Sequence, residues 1–423
     1  MYFTKSARAQ GSFLVAVIIS LLISGCSLNA LTARTGTHAL AAPSVVNQPV
    51  IVDEGIRFVC SPARLERVAT DMPKYLVSIG IAPSWVVTRA DPANGALIYT
   101  LNTPKGEFET LSFRDRPEFA IRDHVDQLPA KDGKTTRVVT VSRKEIVLAL
   151  LQHGRVTNFD GLNCDLDALR EHVELRQNIV SWAENLSWEW PDGGYAEWST
   201  KYWKRGTPLP AVSLHEAFAD VFKNQGEYSI GCYTATKLVM VQGVLDYYHR
   251  VRPNPAVERL IEARLQLDHD PLVNIEPGKM WSFETDFDQS ELARPGKLLK
   301  LKSGIAPGNF VPGDWVYFLN TDPVSSLKTG YEGSNAIYLG RNKFSDYYDD
   351  NDHAYEYLQK VDEVYQWRHG VFSRSRDADK IRPLSEQEIR RLGMPPAHGG
   401  ILMDIRAVPY FFGRSELPEM LQH

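Results

Sequence analysis

Between residues 232 and 248 a helical projection has no polar face, because Leu238, Val239, Val241, Val244, Leu245 and Tyr248 are spread around it. A helix of this kind has to be wrapped by other elements, so the chain must build layers around it. The short segment 227–231 runs straight into this helix and puts Cys232 at its N-terminus. Two later runs, 314–319 and 335–339, are short, apolar and β-favouring, and each is introduced or closed by Gly, so they read as adjacent core strands. A buried helix and a strand pair together give the α+β class.

Local signals place the other elements. Ser142-x-x-Glu145 predicts a helix opening before Ile146 and stopped by Gly154, and Ser213-x-x-Glu216 predicts another that ends near Gly226. A longer helix is expected from Leu166 to Leu186, with Leu169, Val173, Arg176, Val180 and Ala183 on one stripe. Residues 96–101 and 107–113 read as strands joined by the turn Thr103-Pro104-Lys105-Gly106. The expected organisation is a small α+β N-terminal domain over 51–160 followed by a catalytic domain over 161–423. The apolar content of 43% suits globular folding, and a formal charge of -5 with no basic block argues against nucleic acid as a partner.

Lys5 and Arg8 precede an apolar run from Phe13 to Ile23 that is too short for a permanent span and reads as a signal segment. It ends in Leu22-Ile23-Ser24-Gly25-Cys26, which resembles the lipobox of bacterial lipoproteins, so residues 1–26 are expected to be a signal peptide with Cys26 lipidated. Ser27 favours, by the same resemblance, the outer membrane facing the periplasm. Residues 27–50 are small and polar and read as a flexible tether. In an oxidising compartment this leaves Cys60, Cys164 and Cys232 of the 4 cysteines. The economical reading pairs Cys60 with Cys164 and leaves Cys232 a free thiol, although spacing alone does not fix their Cα separation.

A thiolate attacks carbonyl carbon and a neutral thiol hardly does, so a nucleophilic Cys needs its pKa lowered from about 8.5. The unpaired N–H groups and positive dipole end of a helix N-terminus favour the anion, and the same N–H groups can receive an oxyanion. Gly231 is read as allowing a tight turn and room for substrate. On position alone, Cys232 also reads as a small buried hydrophobe.

The run Ile230-Gly231-Cys232-Tyr233-Thr234-Ala235-Thr236, then Gly313-Asp314-Trp315-Val316-Tyr317-Phe318-Leu319-Asn320, then Tyr331-Glu332-Gly333-Ser334-Asn335-Ala336-Ile337-Tyr338-Leu339-Gly340, resembles the spore-coat transglutaminases, the protein-glutamine gamma-glutamyltransferases. Leu175-Arg176-Gln177-Asn178-Ile179-Val180 and Lys201-Tyr202-Trp203 resemble them too, so the similarity covers roughly residues 165–345. The resemblance implies a papain-like core related to the NlpC-type cell-wall peptidases, with the Cys-bearing helix packed on an antiparallel sheet. It implies a thioester with a protein glutamine, resolved by a lysine amine. It implies no calcium, and no cofactor or metal is expected.

The match has gaps. Ser334 stands where the family has a Glu partner for the thiol, and Gly231 stands where it has a Glu before the nucleophile. Glu332, two residues from Ser334, is expected on the same strand face and offers a displaced carboxylate. His369 resembles a His-Gly that follows the same strand in the family, but an insertion separates them. Trp281 and Tyr331 fall where aromatics line the glutamine tunnel, and Asn335 completes the substrate-binding candidates. Asp346, Asp349, Asp350 and Asp352 fit no cation loop and read as solvated, and Asp314 reads as ordering the turn into its strand. The expected activity is acyl transfer. A glutamine deamidase, an NlpC-type peptidoglycan amidase and an inactive binding scaffold remain the alternatives.

Overall fold

The structure is a computed structural model and describes residues 54–191, 196–204, 206–267, 299–349, 354–372 and 377–409. The signal segment, Cys26, the tether and Trp281 lie outside the described residues. Four strands form the first sheet. These are β1 (Gly55–Val59), β2 (Val86–Asp91), β3 (Ala96–Leu101) and, beyond the separate hairpin of β4 (His124–Pro129) and β5 (Thr135–Thr140), strand β6 (Val156–Asp160). Their order is β2-β3-β1-β6, with β6 parallel to β1 and the other pairs antiparallel. Helix α1 (Pro62–Ser78) packs on β3 through a face carrying Val68, Met72, Tyr75 and Leu76.

Residues 107–113 do not form the expected strand. Strand β3 already has β1 and β2 on its two edges, so a further hairpin partner has nowhere to pair. The segment instead bonds to a loop far along the chain, where the Thr110 hydroxyl donates to Phe310 O at 2.7 Å and accepts from Phe310 N at 2.8 Å.

Helices α2 (Arg143–Leu151), α3 (Leu166–Glu184) and α4 (Leu214–Lys223) begin where their caps predict. Ser142, Asp165 and Ser213 accept from Glu145 N, Ala168 N and Glu216 N respectively. The Glu145 carboxylate does not return to its cap, and instead holds Arg114 and the N–H of Arg341. Between α3 and α4 lies the small pair β7 (Trp203–Lys204) and β8 (Thr207–Pro208). Helix α3 is buried on nearly every side, well beyond the predicted stripe.

Helix α5 (Cys232–Asp246) is buried from Thr234 to Asp246, and it packs on α3, α4 and the second sheet. It is followed by α6 (Pro255–Leu267). The second sheet comprises β9 (Leu299–Lys302), β10 (Trp315–Leu319), β11 (Gly333–Gly340), β12 (Lys343–Ser345), β13 (Ala354–Glu356) and β14 (Arg406–Pro409), in the order β13-β12-β11-β10-β14-β9. All its pairs are antiparallel, and β10 and β11 are neighbours as predicted.

The period of two gives this sheet two working faces. Trp315, Ile337 and Leu339 join the core that contains α5, whereas Val316, Phe318, Ala336 and Tyr338 join a second cluster with α7 (Tyr357–Trp367) and α8 (Glu386–Leu392). The first core runs from Ile56 to Tyr348 without a break, so residue 160 falls inside packed structure. A disulfide joins Cys60 to Cys164 with Cα atoms 6.0 Å apart, and Cys232 is free.

Candidate active site

Cys232 opens α5, with Gly231 as the N-cap. Gly231 has φ -65° and ψ 154°, a conformation open to any residue, so a tight turn is not what requires glycine here. A Cβ added at that position would meet nothing within 4 Å, which leaves the approach to the first turn clear. Cys232 lines a small cleft together with Ser334, Asn335, Asp346 and Glu363 and the aromatic residues Trp190, Tyr331, Tyr348 and Trp367.

Asn335 faces the thiol because odd-numbered residues of β11 point toward α5. Its Nδ2 donates to Cys232 Sγ at 3.8 Å, and its Oδ1 is fixed by the Trp315 indole N–H at 2.9 Å. Trp315 in turn packs against Tyr233 at 5.3 Å between ring centroids. Two tyrosines after β12 brace the start of the helix: the Tyr348 hydroxyl donates to Ile230 O at 2.9 Å, and Tyr347 bonds Thr236, whose hydroxyl donates to Cys232 O. Trp190 and Tyr348 meet edge to face at 4.7 Å, as do Tyr331 and Trp367 at 5.2 Å, which forms an apolar rim.

Ser334, on the opposite face of β11, points to α7. Its hydroxyl receives a hydrogen bond from Lys360 Nζ at 3.1 Å, and the same ammonium lies 3.1 Å from Asp346 Oδ1 and 3.1 Å from Glu363 Oε2. Lys360 and Asp346 are buried. Burial pulls the ammonium down, but Glu363 and Asp346 outweigh it and hold Lys360 above its ordinary value, so it stays charged. Both carboxylates thus share one ammonium.

Burial pushes the Cys232 thiol above its ordinary value, against the lowering effect of the Asn335 donors and of Lys360, while Asp346 adds to the rise. This runs against the expectation that the helix N-terminus lowers the thiol's pKa, and a thiol raised in this way needs an acceptor for its proton. Asp346 also departs from the solvated loop expected for it.

The remaining candidates are placed elsewhere. Glu332 precedes β11 and accepts the Gly330 N–H at 2.9 Å, which ties it to the turn. His369 follows α7, is exposed, and packs on Tyr365 at 4.8 Å. Asp314 is fully buried, closes its turn by accepting Val311 N, and is held by Arg155 at 2.6 Å and Arg176 at 2.9 Å. Lys360, Glu363 and the role of Asp346 escaped sequence reasoning. The signal for Lys360 was a charge at the head of a buried helical stripe, i, i+4 and i+7 with Val364 and Trp367.

The profile of the protein-glutamine gamma-glutamyltransferase family matches residues 125–350, more than half of the 423 residues. The chain belongs to this family. Protein-glutamine gamma-glutamyltransferases of Bacillus cereus (strain AH820) and Bacillus anthracis are each 25% identical to it over 182 residues, 41% of this chain. The chain spans 55% of the length of these curated relatives. A transglutaminase from Geobacillus stearothermophilus aligns in structure at 20% identity over 60% of this chain and 95% of that one, and the TM-score of 0.37 gives the likeness no weight. The matched region begins at β4 and so takes in α2 and β6 as well as the candidate site residues from Cys232 to Asp346.

Proposed function

We propose that this transglutaminase-family chain is an acyltransferase acting on protein glutamine, with Cys232 as nucleophile. The thiol adds to the carboxamide carbon as its proton passes to a carboxylate of Asp346 or Glu363, which line the same cleft. The oxyanion is received by Asn335 Nδ2 and the N–H groups of the first turn of α5. Collapse of the intermediate breaks the C–N bond, the proton returns to the departing ammonia, and a thioester remains. A lysine amine then adds to the thioester, gives up a proton to the same carboxylates, and leaves as the amide while the sulfur recovers its hydrogen. The aromatic rim keeps water from competing.

The observation that carries this reading is the single cleft holding a free thiol, an amide donor fixed by Trp315, and a carboxylate pair on a buried lysine. A papain-like core of the NlpC type is the fold reading that goes with it, supported by a Cys at the start of a helix packed on the antiparallel strand β11. Attachment to the outer membrane through lipidated Cys26 is also proposed. It rests on residues 5–27 and agrees with the Cys60–Cys164 disulfide, a bond of oxidising compartments. Labelled palmitate that still enters a Cys26→Ala chain would reject it.

The deciding experiment incubates the chain with a glutamine peptide and a fluorescent amine. Amine incorporation that disappears in Cys232→Ala is the expected result. Ammonia release without incorporation makes it a deamidase, shortened muropeptides make it a peptidoglycan amidase, and no turnover makes it a binding scaffold.

A further inference from the structure

At the far end of α5 from the thiol, two imidazoles and a carboxylate converge on one point. His215 comes from the first turn of α4, His249 from the π-helical turn Tyr247–Val251 that continues α5, and Glu258 from α6. The two rings are stacked with centroids 3.9 Å apart, and Nδ1 of each points at the same oxygen, Glu258 Oε1, at 4.0 Å from His215 and 3.0 Å from His249. One ligand atom from each residue lies within 4.8 Å of the others. In a tetrahedral site with metal–ligand bonds near 2.0–2.1 Å, ligand atoms stand roughly 3.3 Å apart, so small side-chain rotations suffice.

We propose that His215, His249 and Glu258 bind one divalent transition-metal ion, of which Zn²⁺ is the natural probe. Two imidazoles and a carboxylate are a donor set suited to such ions and ill suited to calcium or magnesium, which take oxygen ligands. A second carboxylate, Glu262, accepts the His215 backbone N–H at 2.8 Å and so helps to fix that residue. His249 is 54% exposed, so the ion has a way in, and the other two ligands, 16% and 14% exposed, give it a floor.

The test measures Zn²⁺ binding to the full chain by equilibrium dialysis, in a Cys232→Ser background that removes the free thiol as a competing ligand. One ion per chain is expected to be lost, or weakened by about tenfold or more, on His249→Ala, a half-exposed position whose change leaves the fold intact. His215→Ala and Glu258→Gln should weaken the same ion. Co²⁺ in its place should give visible ligand-field bands, without a thiolate charge-transfer band, that vanish in the same variants. Zn²⁺ uptake unchanged by His249→Ala overturns the assignment, and so does a parent chain that takes up none.

Discussion

Asp346 and Lys360 act on the thiol with opposite signs, and that separates their chemistry from mere support. The carboxylate of Asp346 raises the Cys232 pKa and Lys360 lowers it. Asp346→Asn should therefore bring iodoacetamide alkylation of Cys232 to lower pH while amine incorporation falls by about 10²–10⁴-fold, the usual loss for a general base. Asn335→Ala removes donors from the sulfur and should move the alkylation profile to higher pH. Profiles that do not move in these two directions would leave both residues with a structural role only. Asp314 belongs to stability: burial opposes its charge, but Arg155 and Arg176 prevail and hold its carboxyl at about 2. Because that pKa is depressed on folding, its contribution is present above the unfolded value of about 3.9 and is lost as pH falls toward about 2. Asp314→Asn should cost about 3–5 kcal/mol in urea unfolding at neutral pH, by leaving two buried guanidinium groups short of an anion, and should erase the acid limb between those values. The place of Cys232 was legible in the sequence because a helix start is settled within a few residues. The trio of Asp346, Lys360 and Glu363 and the Ser334 hydroxyl beside it were not, because these four residues meet only across β11, the segment after β12 and α7.

Capped helices were the most legible elements, since a cap is settled within four residues, as at Ser142 and Ser213. The strand expected over 107–113 failed because alternation says nothing about whether an edge is free, and β3 had none to offer. Burial all round α5 was legible too, but not the closeness of α3. At Gly243 an added Cβ would lie 2.4 Å from Ile179 Cγ1 and 2.8 Å from its Cα, and the Gly243 carbonyl accepts from Asn178 Nδ2 at 2.7 Å. Gly243→Ala should therefore cost about 1–3 kcal/mol by forcing the two helices apart, read as a lower urea midpoint with an unchanged slope. An unchanged midpoint would mean that the helix pair has slack.

Across the whole molecule, the sequence led us to expect a domain boundary near residue 160, where the resemblance to the family thins. The core crosses that point because α2 and β6 are shared: α2 packs on α3 as well as on β1, and β6 completes the first sheet just ahead of α3. Pattern reading finds faces of elements but not which faces meet, so a continuous core looked like two. The Cys60–Cys164 bond closes a loop of 104 residues across this shared region. Replacing both cysteines by Ser should cost about 2–5 kcal/mol by freeing the unfolded chain, with amine incorporation preserved at temperatures where the fold survives. Equal stability with and without the bond would remove it from the account.

The lysine beneath Ser334 also bears on repair by analogy. Placing an acid at this position, as Ser334→Glu, would add a carboxylate beside the ammonium that Asp346 and Glu363 already share. The expected result is a slower and less stable variant, in which a borrowed acid meets a site built around a hydroxyl.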